Sequence, residues 1–254
     1  MSLRIEMRFE DTVLASATGF LVRHQRLFSN ITYLVTNRHN LRGRNNDTNE
    51  CLDETYAAIP DSVVVVHNGP NKPNQVGTWT QKAEPLYDDE GRPLWLEHPD
   101  LGGQVDVVAL PLVNLGASNL DLHRIDIWSP ETSIFIGPSE VVSILGFPFK
   151  HTAGGSFAIW IQGAIASEPL LDMDELPRFL IDARTRKGCS GSPVFAYRSA
   201  GLVTLQDGLL HQFPHPIWRF LGVYSGRIDD RTDLGFVWKK QVITEIIEGQ
   251  ARGS

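Results

Sequence analysis

The chain has 254 residues, 42% hydrophobic and 21% charged, with a formal net charge of −7. That is ordinary globular composition, rich enough in apolar residues for a sizeable core, and the length suits either a long all-β unit or two smaller ones. The acidic balance, with Lys and Arg spread along the chain, argues against nucleic acid or an anionic membrane as main partner, because both recruit clustered cations.

The first residues, MSLRIEMRFEDTVLASATGFLV, put Arg4, Glu6, Arg8, Glu10 and Asp11 where an export signal needs apolar side chains, so none is predicted. No apolar run approaches the length that crosses a bilayer. The two cysteines, Cys51 and Cys189, lie too far apart and are too few for a disulfide framework. The expected location is the cytoplasm.

Short β-branched or aromatic stretches bounded by Gly, Pro, Asn or Asp follow one another: TVLASATGFLVR, YLVTNRH, SVVVVHN, VDVVALPL, VVSILGF, SFAIWIQGAIAS, RFLIDA, SPVFAY and FLGVYSGR. Each reads as a strand, and their spacing is that of an all-β barrel or sandwich. The segment from Val76 to Pro99 reads as a hairpin turning at Asp89-Glu90-Gly91-Arg92. Residues 114–138 read as the crossover between two β halves, 1–118 and 119–254. Only WKKQVITEIIEG has helical spacing, with Val242, Ile243, Ile246 and Ile247 on one face and Gly249 as a stop.

The stretch KGCSGSP, residues 187–193, raises a chemical question. A serine hydroxyl attacks a carbonyl at neutral pH only with a base in reach and backbone N–H donors aimed at the oxyanion it creates. Glycines such as Gly188 and Gly191 let a backbone turn tightly enough to present those donors. Gly-x-Ser-Gly alone is a weak signal, but His39 closes the apolar strand YLVTNRH and Asp106 opens VDVVALPL, in the chain order His, Asp, Ser.

With these motifs the chain resembles a trypsin-like serine protease of the chymotrypsin fold. Thr36-Asn37-Arg38-His39 matches the family's Thr-x-x-His, and Asp106-Val107-Val108-Ala109-Leu110 matches its acid-bearing strand. TGFLV, LGFP, IQGAIAS and the Asp182-Ala183 pair ahead of Ser190 resemble bacterial trypsin-like peptidases of the HtrA type.

The resemblance implies an all-β fold of two six-stranded antiparallel barrels with a C-terminal α-helix. His39 and Asp106 would come from the N-terminal barrel and Ser190 from the C-terminal one. It implies a serine endopeptidase in which His39 is the base, Asp106 orients it and Ser190 attacks. Gly188 and Ser190 would supply the oxyanion-hole N–H groups, and Ser225, Gly226 and Arg227 the strand that pairs with substrate. No metal and no organic cofactor are expected. The expected partner is a peptide or protein substrate, with a regulatory protein partner left open, and no nucleic acid or membrane.

Two departures from the family pattern stand out. Cys189 replaces the acid with which digestive proteases capture a newly cut N-terminus, so activation by clipping is not expected. Arg184, six residues before Ser190, falls at the family's specificity-pocket floor and, with Arg227, would favour an acidic substrate side chain. Its bland alternative is exposure to solvent or pairing with Asp182.

Other chemistry has weaker support. A cysteine nucleophile would stand at position 190, not 189. His211 and His215 are separated by Pro214, which forbids the helix that would align them on zinc. Asp100 sits in a turn without a following apolar strand. A triad esterase would carry its Ser on a strand-to-helix elbow, whereas SPVFAY reads as strand. The rival from another class is a catalytically silent peptide-binding module on the same fold.

Overall fold

The computed structural model describes residues 1–254 apart from 27–28, 47, 54, 56, 71–76, 117–118 and 230. The first half runs β1 (Ser2–Phe9), β2 (Thr12–Arg26), β3 (Ser29–Thr36), the short helix α1 (Arg38–Arg42), β4 (Ser62–Asn68), β5 (Trp79–Pro85), β6 (Leu96–Glu97) and β7 (Val108–Pro111). β8 (Arg124–Ile125) lies in the crossover. The second half runs β9 (Val141–Gly146), β10 (Ile159–Ile165), β11 (Arg178–Ala183), β12 (Pro193–Arg198), β13 (Gly201–Thr204), β14 (Leu210–Phe213), β15 (Ile217–Arg227) and β16 (Leu234–Lys239). Helix α2 (Lys240–Gly249) and β17 (Ala251–Arg252) end the chain.

The architecture is all-β, as the sequence predicts. In the second half β10-β11-β16-β15-β12-β9 close into a six-stranded barrel. The first half is a nine-stranded sheet in the order β17-β6-β7-β3-β2-β1-β4-β5, with β8 added in parallel to β2. The turn at Asp88–Arg92 joins its ends, with Leu94 N–H donating to Leu86 O at 2.9 Å and Asp88 N–H to Arg92 O at 3.0 Å. The predicted hairpin therefore keeps its turn, but its arms go elsewhere: β5 pairs with β4, and β6 with β7 and β17. The domain boundary read at Ser118 lies outside the described residues.

Each stretch read as strand contains one, but His39, read as the end of YLVTNRH, lies in α1, and Asp106, read as opening VDVVALPL, precedes β7; Lys240–Gly249 is the helix. β1 and the β13–β14 hairpin are among the elements that went unread. β1 buries Leu3, Ile5 and Met7 and turns Arg4, Glu6 and Arg8 the other way, a period-2 pattern of a half-buried strand. The β13–β14 hairpin turns at Asp207-Gly208, a turn signal present in the sequence.

Three apolar clusters hold this together. Leu3, Ile5, Leu34, Val65, Trp95 and Leu110 fill the first half, while Ile144, Ile181, Val194 and Val237 fill the barrel. Between the halves, Phe20, Val35 and Val107 meet Phe220, Val223 and Trp238 under α2. Val242, Ile243, Ile246 and Ile247 of α2 are fully buried, each contributing about 1.5–3 kcal/mol of burial. Because β17 then pairs with β6, the end of the chain returns to the first half. Among the described residues no helix is long and apolar enough to cross a membrane.

One core position carries a cost. His67 has the parity of Val63 and Val65 on β4, is fully buried, and neither ring nitrogen has a hydrogen-bond partner among the described residues. Burial, assisted by the Lys82 charge, holds its pKa down at about 4 against an ordinary 6.5. The unfolded chain therefore binds this proton first, and stability drops as pH falls from about 6.5 to about 4. Urea titrations across that window should show the loss in the native sequence and a flatter profile in His67→Leu; identical slopes would refute it.

Candidate active site

α1 begins directly after β3, with Asn37 extended at its N-cap and Gly43 left-handed at its C-cap, where φ is +65°. The Gly43 N–H closes the turn on His39 O at 2.9 Å. This turn stands beside the residues that lead into β7: Asn37 Nδ2 donates to Asp106 O at 2.7 Å, and the His39 backbone N–H donates to Asp106 Oδ1 at 2.9 Å. His39 Nδ1 lies 2.7 Å from Asp106 Oδ2, which also accepts from Ser225 Oγ at 2.6 Å.

Asp106 is 6% exposed, so its carboxylate is costly unless fully hydrogen-bonded, and three donors meet that need. A carboxylate that only accepts requires the ring hydrogen on Nδ1, which in the neutral imidazole leaves Nε2 of His39 with the lone pair.

Ser190 is partly buried, in the loop between β11 and β12, and its position is set from the other half of the molecule. Thr18 of β2 donates its N–H to Ser190 O at 3.0 Å and its hydroxyl to Gly188 O at 2.7 Å, while accepting from Phe147 N–H at 3.2 Å. Thr36 Oγ1 donates to Thr18 O at 2.8 Å, and Asn40 Nδ2 reaches Thr36 Oγ1 at 3.0 Å and Ser190 O at 3.5 Å. From the barrel side, Gly191 N–H donates to Tyr224 O at 2.9 Å, and Ser190 Oγ lies 3.4 Å from Ser225 O.

The glycines of the motif have a steric reason. Gly188 has φ +98° and Gly191 φ +84°; a Cβ would strike Phe147 O at the first and Thr18 O with Thr36 Oγ1 at the second. Phe149 N–H binds Lys187 O at 2.7 Å, and in a trans peptide the N–H of Gly188 then points the opposite way. The N–H groups of Gly188 and Ser190 have no acceptor among the described residues.

A cavity of about 260 Å³ opens at Ser190, lined by Tyr224, Gly226, Arg227 and Asp229 together with Arg186 and Lys187. Arg184 is exposed and stands outside this lining. The chain alternates inward and outward after β11, so Thr185 points in instead and hydrogen-bonds the Tyr224 hydroxyl. Burial pushes that hydroxyl up to about 12, which keeps it neutral. Asp100 is an exposed turn residue whose N–H donates to His98 Nδ1 at 3.2 Å, and Asp106 is the carboxylate that takes the His39 ring at 2.7 Å.

Sequence reasoning missed Thr18, Asn40, Arg186 and Lys187. Asn40 directly follows His39, and Thr18 opens TGFLV, but nothing in spacing says that either reaches the Ser190 loop 150 residues or more away.

Cys189 is fully buried and its burial raises the thiol pKa, which disfavours the thiolate. Iodoacetamide should therefore alkylate the half-buried Cys51 in the native protein and Cys189 only after unfolding, as read by mass spectrometry. Thr18→Val strands the Gly188 carbonyl and the Phe147 N–H; the expected cost is about 1–3 kcal/mol in urea unfolding, with Thr18→Ser recovering most of it.

The family model for the trypsin-like peptidase domain matches residues 17–203, which contain His39, Asp106 and Ser190. No curated protein sequence matches the chain. Among solved structures, the active form of the Rv3671c protease from M. tuberculosis is 16% identical with TM-score 0.47, covering 100% of this chain and 82% of that one. An inactive form of the same protease is 17% identical with TM-score 0.45, covering 97% of this chain and 87% of that one. Similarity at that level adds no residue-level information, and the assignment rests on the family model, which spans well over half of the sequence: the chain belongs to the trypsin-like peptidase family.

Proposed function

We propose that the chain is a serine endopeptidase working through His39, Asp106 and Ser190. The observation that carries this reading is the Asp106 carboxylate, which takes the His39 ring at 2.7 Å and the His39 N–H at 2.9 Å. That arrangement presents a lone pair on Nε2, the state a general base needs.

In this mechanism Nε2 takes the proton of Ser190 Oγ as the oxygen bonds to the scissile carbonyl carbon. The carbonyl oxygen becomes an oxyanion held by the N–H groups of Gly188 and Ser190, each donor lowering the barrier by about 3–4 kcal/mol. Collapse of the intermediate expels the amine, which takes the proton from His39, and leaves an acyl group on Ser190. Water then repeats the sequence to release the acid. The substrate backbone pairs along Ser225, Gly226 and Arg227, and Ser225 also fixes Asp106 through its hydroxyl at 2.6 Å. Peptide or protein is the substrate class.

The test is labelling with a fluorophosphonate probe alongside hydrolysis of a peptide mixture. Wild type should be labelled and Ser190→Ala should not; labelling that persists in Ser190→Ala, or none in wild type, defeats the reading. Asp106→Asn should lower kcat by roughly 10⁴-fold while leaving the fold intact by circular dichroism, because the ring would be held in the wrong tautomer.

A further inference from the structure

The cavity at Ser190 has a chemistry of its own. Its lining carries three cations, Arg186, Lys187 and Arg227, against one carboxylate, Asp229. Arg186 shares part of its charge with Asp233 at 3.0 Å and donates to Thr185 O at 2.6 Å, which fixes the guanidinium in place. Lys187 makes no ion pair among the described residues. The inner wall is Tyr224, 2% exposed, with its hydroxyl bonded to the buried Thr185.

We infer that this cavity selects an acidic side chain, aspartate or glutamate, on the acyl side of the cut bond, with Arg186, Lys187 and Arg227 determining that specificity. The inference rests on the peptidase reading and deepens it. A carboxylate entering beside Ser190 exchanges water for guanidinium and ammonium donors, which form charge-assisted hydrogen bonds. A lysine or arginine side chain would be desolvated against like charge, and a large aromatic would meet the cationic rim and the Tyr224 wall without a partner for either. Arg186 and Lys187 also explain why exposure of Arg184 does not remove the preference: the positions that face the cavity are two and three residues further on.

The experiment uses the full chain and peptides identical except for the residue before the cut: Glu, Asp, Gln, Leu, Phe or Lys. Gln matches Glu in shape, so their ratio isolates charge. The expected kcat/KM for Glu exceeds that for Gln by about tenfold or more, and the ratio shrinks with added salt. Lys187→Met, and more so Lys187→Met with Arg227→Met, should bring the ratio toward one. A ratio near one in wild type, or faster cleavage after Leu, Phe or Lys, overturns the inference. The same peptides titrated against Ser190→Ala by fluorescence anisotropy read the cavity without turnover; tighter binding of Glu than Gln supports it and equal affinity overturns it. A chain that neither labels nor cleaves would defeat the peptidase reading alone, because the Ser190→Ala comparison still decides the cavity.

Discussion

The hydrogen bond from Thr18 N–H to Ser190 O, 3.0 Å across the junction of the two β halves, is the constraint on which the site depends. The candidate base and its acid are carried by the first half and the candidate nucleophile by the second. Reaction geometry requires their positions to agree to a fraction of an ångström. Apolar burial between the halves is non-directional and cannot set that register. The polar cluster of Thr18, Thr36 and Asn40 can, because each of its bonds has a distance and an angle to satisfy, and all three side chains are buried where a broken bond is costly.

The same junction explains why the chain spends so much of its end on a helix that never touches the cleft. α2 buries four apolar side chains against both halves, and β17 then extends the first sheet at β6. Near that seam, Glu97 accepts from Arg38 Nε at 2.9 Å and Trp95 Nε1 at 3.0 Å. Both charges are almost fully buried, so the pair is tolerated because its hydrogen bonds are complete, and its directional bonds hold the turn that precedes His39. Packing brings the halves together, and buried polar bonds decide how they align.

Much of this was legible along the chain. β-branched runs between turn residues marked the strands, and the isoleucines of α2 marked the helix, because local periodicity is a direct consequence of which face is buried. β1 carries the same kind of signal, with Leu3, Ile5 and Met7 alternating with Arg4, Glu6 and Arg8, but its polar face is densely charged. The Asp88–Arg92 turn was legible while its strand partners were not: a turn is written in neighbouring residues, whereas β5 and β6 find partners on different strands.

The candidate site divides the same way. His39, Asp106, Ser190 and the glycines around it were identifiable because their chemistry demands those residue types, and left-handed φ at Gly188 and Gly191 demands glycine. The cavity was not. Counting six residues back from Ser190 arrives at Arg184, but inward or outward orientation along an irregular loop depends on what packs against it. Here Thr185 turns inward to Tyr224, a residue of β15, and leaves Arg186 and Lys187 at the cavity. The sequence by itself determined the fold class and the candidate reactive groups, which follow from local pattern and intrinsic chemistry. Only the tertiary structure decided which cations face Ser190 and which threonine binds its loop, because those contacts join segments that are distant along the chain.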